Sequence, residues 1–149
     1  MSLAPPLPPP AHPSALLKAL EGKARKRFGQ HFLASPSAID RIVALSELGP
    51  GQSVLEVGPG LGVLTEAMLA TGAHVTAVEL DRDLAGALRE RLRDAIECGA
   101  LSLVQGDAAE LDLAALLPQP GAKCTANLPY NVGTRVLVSL LESPRPWGR

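Results

Sequence analysis

The stretch "SVLEVGPGLGVLTEAMLATG", Ser53 to Gly72, decides the fold. Val54 to Val57 is a short β-rich run that breaks into Gly58-Pro59-Gly60-Leu61-Gly62. A helical pattern then resumes at Val63 and is closed by Gly72. Strand, glycine turn and helix follow one another in that order.

The unit repeats without internal sequence similarity. "HVTAVEL" (His74 to Leu80) reads as a buried strand, and Asp81 caps a helix with Leu84, Leu88 and Leu92 along one face. After Gly99 a third strand, "LSLVQ", runs into Gly106-Asp107, and after "LDLAALLP" a fourth, "AKCTA", runs into Asn127. Strands alternating with helices imply right-handed crossovers and a parallel sheet covered on both faces. The expected fold class is α/β, a Rossmann-like doubly wound sheet. Upstream, Ser35-Pro36 reads as an N-cap with proline at the first helical position, and Ile39, Ile42 and Val43 continue a helix of about three turns until Gly49-Pro50-Gly51 ends it.

Residues 1–22 are set apart. Six prolines within the first 13 residues predict a disordered or polyproline-type tail, followed by a linker. Residues 23–149 then form the folded unit, and 46% apolar residues over 149 are enough for a core. A net charge of −1 and a pI near 6.3 give no global attraction for polyanions, so any nucleic-acid contact needs a local patch. Lys23, Arg25, Lys26 and Arg27 form one, readable either as a solvated charge run or as an RNA-phosphate contact. Cys98 and Cys124 have no metal-ligand spacing and are expected to be reduced and buried. No apolar run reaches the roughly 18 residues a membrane span needs, and no signal-peptide layout is present. A cytoplasmic, monomeric protein without a metal is the expectation.

In an open parallel sheet, ligands sit beyond the carboxyl ends of the strands. Gly58, Gly60 and Gly62 let the backbone turn sharply and approach a ligand. Their spacing is G-x-G-x-G, not the pyrophosphate fingerprint G-x-G-x-x-G, and no Lys-Ser/Thr follows as in a P-loop. Glu79, 21 residues after Gly58, ends the second strand, where a carboxylate accepts both hydroxyls of a ribose or, more plainly, begins a helix. Asp107 ends the third strand and is either an adenine-amine acceptor or a turn aspartate. Together with Glu56 these positions describe a pocket for an adenosine without phosphates, and S-adenosylmethionine is the cofactor that fits.

The fourth strand stops at Asn127-Leu128-Pro129-Tyr130. The Asn127 side-chain oxygen and the Leu128 carbonyl, preceding an imide without N–H, can both accept from an exocyclic amine and localise its lone pair. Tyr130 can stack on the extruded base. The plainer alternative is a turn in which Asn127 caps the following helix and Tyr130 fills a core gap.

At this point "RKRFGQHFL" (Arg25 to Leu33), "EVGPGLGVLT" (Glu56 to Thr65), "VELDRDL" (Val78 to Leu84), "GDA" (Gly106 to Ala108) and "NLPYN" (Asn127 to Asn131) together resemble, in order and spacing, the ribosomal RNA adenine N6-dimethyltransferases. The small-subunit branch is the nearer look. The resemblance implies methyl transfer from S-adenosylmethionine to adenine N6 in small-subunit ribosomal RNA during ribosome maturation. It also implies that His31 and Leu33 help close over the cofactor, with Gly58, Gly60, Glu79, Asp107 and Asn127 as its other contacts. From its neighbours alone His31 would be a surface residue after a basic run. The family continues with three more strands and a small helical domain, so a sheet truncated after about the fourth strand is expected. The alternatives are a large-subunit methyltransferase of the resistance type, a nicotinamide-dependent oxidoreductase, an N-methyltransferase with an Asn/Asp-Pro-Pro-Tyr loop, and a non-catalytic ribosome-assembly factor that keeps the cofactor fold.

Overall fold

Every residue of β1 (Ser53–Val57) is buried, as a strand with a helix layer on each face requires. In the computed structural model, which describes residues 35–117, 121–126 and 130–142, β1 pairs in parallel with β2 (His74–Glu79) and β4 (Lys123–Ala126). β2 pairs in parallel with β3 (Leu101–Gln105), which gives the sheet order β3-β2-β1-β4. The chain therefore steps outward from β1 through β2 to β3, then returns to the other side of β1. That reversal makes a topological switch point between β1 and β4.

Alternation along the strands sorts the core into two layers. Val54, Val75, Ala77 and Leu101 pack with α1 (Pro36–Ser46), α2 (Val63–Leu69), α3 (Arg82–Arg91) and α4 (Arg93–Glu97) through Ile39, Leu64, Met68, Leu88, Leu92 and Ala95. Leu55, Val57 and Val78 face the opposite side, against the 3-10 turn Leu113–Leu116 and α5 (Tyr130–Leu141) through Leu113, Leu117 and Val136. Burying each of these large apolar side chains contributes roughly 1.5–3 kcal/mol. The doubly wound α/β arrangement expected from the order of elements is the one observed. By the same alternation, Glu56 and Glu79 share the face covered by α1 to α4.

Local signals hold with corrections. Asp81 caps α3 as expected, its Oδ1 accepting from the amides of Asp83 at 2.8 Å and Leu84 at 3.1 Å. Ser35 occupies the N-cap of α1 with Pro36 behind it, but its hydroxyl meets Ser37 Oγ at 2.9 Å instead of a backbone amide. α1 ends before Gly49 because Glu47 itself takes a left-handed conformation, φ 48°, and its N–H bonds the Ala44 carbonyl. The single helix expected after Asp81 is split at Leu92, which joins α3 to α4. Cys98 and Cys124 are exposed, not buried: Cys98 follows α4, and Cys124 lies on the sheet's outermost described strand. Among the described residues, no helix is long and apolar enough to cross a membrane.

Candidate functional site

The strand registers set the site. Val57 pairs with Val78 and with Ala126, and Glu79 pairs with Gln105, so all four strands end at one edge of the sheet. The ladder extends one step beyond the strands, with Gly58 N–H bonding the Val78 carbonyl and Gly106 N–H bonding the Glu79 carbonyl, both at 2.9 Å. Gly58, Gly60, Glu79 and Asp107 thus line one rim. The end of β4 at Ala126 brings the chain to that rim immediately before Asn127.

Gly58, Gly60 and Gly62 all have positive φ, at 74°, 57° and 79°. A side chain at any of them would be strained, which explains why the turn spends three glycines. Glu79 locks this turn: its Oε2 accepts the Gly60 N–H at 2.9 Å, and its Oε1 accepts the Asp81 N–H at 2.9 Å. The residue is almost wholly buried. Burial pushes its carboxyl upward, while amides from Asp81, Gly60 and Leu80 pull it back and the Asp81 carboxylate adds to the rise. Asp107 shapes the next turn, its Oδ1 accepting the Ala109 N–H at 2.9 Å.

Behind the turn lies a layer of buried polar groups: Glu56, expected among the pocket residues, is 2% exposed and turned toward Thr65, and residue spacing did not reveal its partners. Thr65 of α2 donates to Glu56 Oε2 at 2.6 Å. Burial lifts the Glu56 carboxyl to about 7; the Thr65 hydroxyl works against that and the Glu79 carboxylate reinforces it. Glu66, also buried on α2, pairs with Arg91 Nη2 from the last turn of α3, and Arg91 Nη1 donates to the Leu61 carbonyl at 2.6 Å. The available signal was Glu66 itself. A carboxylate among the buried residues Leu64, Thr65, Met68 and Leu69 of one short helix needs a cation or a donor. Among the described residues, no group of three or more His, Cys, Asp or Glu is arranged to hold a metal ion.

Lys23, Arg25, Lys26, Arg27, His31, Leu33, Asn127, Leu128 and Pro129 lie outside the described residues. Tyr130 begins α5.

A parallel sheet with a glycine turn after its first strand and an acid after its second defines the class: a Rossmann-like fold of the kind found in S-adenosylmethionine-dependent methyltransferases. Two solved structures share it. One is a dimethyladenosine transferase from Plasmodium falciparum, 26% identical over 78% of this chain and 40% of that one, with a TM-score of 0.64. The other is the 23S rRNA methyltransferase ErmE, 30% identical over 78% of this chain and 45% of that one, with a TM-score of 0.67. The chain belongs to the ribosomal RNA adenine dimethylase family, whose model matches residues 21–148. It is 48% identical to the ribosomal RNA small subunit methyltransferase A of Thermosynechococcus vestitus over 81% of this chain. That match covers 43% of the relative, so the chain spans less than half the length of this curated relative.

Proposed function

We propose that this chain carries the S-adenosylmethionine-binding part of an enzyme that dimethylates the exocyclic N6 of adenines in small-subunit ribosomal RNA. One observation supports this most: the glycine turn, Glu79 and Asp107 share a rim with the end of β4, at the switch point of the sheet. Curated relatives at 44–48% identity are named small subunit methyltransferases, which favours that substrate over the large subunit.

The donor set fits the cofactor. A carboxylate offers about four acceptor positions, so Glu79 can hold backbone amides and still accept a ribose hydroxyl. Asp107 offers an acceptor to the adenine amine, and His31 and Leu33 close over the nucleoside. The glycine turn gives the amino-acid tail a close backbone approach without demanding a phosphate. When bound, the cofactor supplies an electrophilic methyl group on a sulfonium sulfur.

The remaining chemistry belongs to Asn127, Leu128, Pro129 and Tyr130. Asn127 Oδ1 and the Leu128 carbonyl accept from the adenine amine and hold its nitrogen tetrahedral, because Pro129 fixes the chain and contributes no competing N–H. Tyr130 stacks on the base, at roughly 1–3 kcal/mol per base for such contacts. Alkylation makes the amine more acidic, so positioning dominates over general-base strength. Two acceptors that tolerate one N-methyl group permit a second transfer. Lys23, Arg25, Lys26 and Arg27 hold RNA phosphates. In this reading residues 23–149 are the cofactor domain, residues 1–22 are a tail, and the protein works as a cytoplasmic monomer without a metal.

The test is transfer of labelled methyl groups to undermethylated small and large ribosomal subunits. Label in small-subunit adenines is expected. Label only in the large subunit would support the resistance-type activity, and binding without label would support an assembly role.

A further inference from the structure

Two faces of the glycine turn are held by different elements. Glu79 fixes the Gly60 amide from the β2 side. The other side rests on the last turn of α3, where Arg91 reaches across 30 residues of sequence to the Leu61 carbonyl at 2.6 Å. Gly62, the next residue, is the N-cap of α2, its carbonyl accepting from Glu66 N–H at 3.0 Å, and its N–H bonds the Pro59 carbonyl at 2.9 Å. A Cβ on Gly62 would run into a Leu88 methyl, so α3 and the turn are already in close contact. Arg91 also pairs with Glu66, whose side chain is 3% exposed against 17% for the arginine.

Resting on the function proposed above, the geometry points to Arg91 as a positioning residue for the amino-acid tail of the cofactor. The guanidinium is planar and presents separate donors in a fixed fork. One nitrogen satisfies the Leu61 carbonyl, and the other is held by the Glu66 carboxylate, which sets the angle of approach. The Leu61–Gly62 peptide unit is thereby fixed in orientation, together with the backbone that meets the tail. Glu79 and Asp107 lie at the ends of the next two strands, and Glu79 is held by its own bonds to the Gly60 and Asp81 amides, so the ribose and base contacts lean on this fork less than the Leu61–Gly62 peptide does. Lysine is a poor substitute, because one ammonium on a flexible stem cannot reproduce two divergent donors at these angles.

The consequence is specific to one part of the ligand. Calorimetric titration of the 149-residue chain would compare S-adenosylhomocysteine with 5′-methylthioadenosine, which keeps the nucleoside but lacks the amino-acid end. Arg91→Ala is expected to weaken S-adenosylhomocysteine about tenfold or more, the scale of one lost charge-assisted hydrogen bond. Methylthioadenosine should stay within about twofold of wild type, well under the free energy of a single such bond. Arg91→Lys should fall between, and Arg89→Ala, on the exposed face of the same helix, should match wild type. Unchanged affinity for both ligands in Arg91→Ala, or an equal loss of both, overturns the inference. If Arg91→Ala fails to fold, Arg91→Lys decides by the same ratio. Wild-type chain that binds neither ligand overturns the proposed function itself, a result distinguishable from a selective failure in the variants.

Discussion

Glu79 accepts the Gly60 amide at 2.9 Å, so the acid that ends β2 and the turn that follows β1 form one unit. Backbone donors set the orientation of the Glu79 carboxylate before any ligand arrives, and under the proposed function a ribose would meet an acceptor that is already ordered.

Removing that carboxylate should therefore cost both stability and affinity. Glu79→Ala leaves the Gly60 and Asp81 amides without their acceptor in a buried setting, at about 1–3 kcal/mol for such orphaned groups. Glu79→Gln keeps the shape but turns an N–H₂ toward one of two backbone donors, and should lie between. Urea midpoints paired with S-adenosylhomocysteine titrations read both effects, and wild-type values in Glu79→Ala would contradict the linkage.

Glu56 should make stability depend on pH in an unusual direction. Its carboxyl is raised from 4.5 to about 7 in the folded chain, chiefly by burial. The folded state then holds the proton more tightly than the unfolded state, so this contribution is fully present below the ordinary carboxylate range and is lost as pH rises through about 7. Glu56→Gln imitates the protonated group. The stability of wild type relative to Glu56→Gln should fall between about pH 4 and about pH 8, by on the order of 3 kcal/mol. Denaturant melts across that window check it, and a flat difference would mean that Glu56 titrates normally.

Two glycines should respond in opposite ways to alanine. Gly62, at φ 79° against Leu88, should lose roughly 1–3 kcal/mol. Gly86, inside α3 with open space for 4 Å around the point a methyl group would occupy, should gain roughly 0.5–1 kcal/mol by shedding backbone entropy. Thermal melts of the two variants should move apart.

Asn127→Ala should abolish methyl transfer while leaving binding to small ribosomal subunits nearly intact. Filter binding and label incorporation on the same preparation separate the two. A variant that methylates like wild type would remove Asn127 from the reaction.

The frame of the molecule was legible because its signals are local. The apolar run of β1, the three glycines after it and the Asp81 cap each act within a few residues, and the alternation of strand and helix dictates a parallel sheet. Gly58, Gly60, Glu79 and Asp107 followed from that frame, since the ends of parallel strands share a rim. The Arg91–Glu66–Leu61 arrangement was not legible, because it depends on how α3 crosses the turn and no spacing encodes that angle. Glu47 shows the same limit on a small scale: glycines two residues later marked the end of α1, yet the left-handed residue that closes the helix is an exposed glutamate whose N–H bonds the Ala44 carbonyl. The exposure of Cys124 was not legible because burial of β4 depends on its place in the sheet, and that of Cys98 because it follows the end of α4, neither of which composition states.

The most direct measurement is calorimetric titration of the chain with S-adenosylmethionine and, separately, with NAD. A rim built around a phosphate-free adenosine should give saturable heat with S-adenosylmethionine and none with NAD. Binding of NAD but not of S-adenosylmethionine would contradict the assignment of the site at its root.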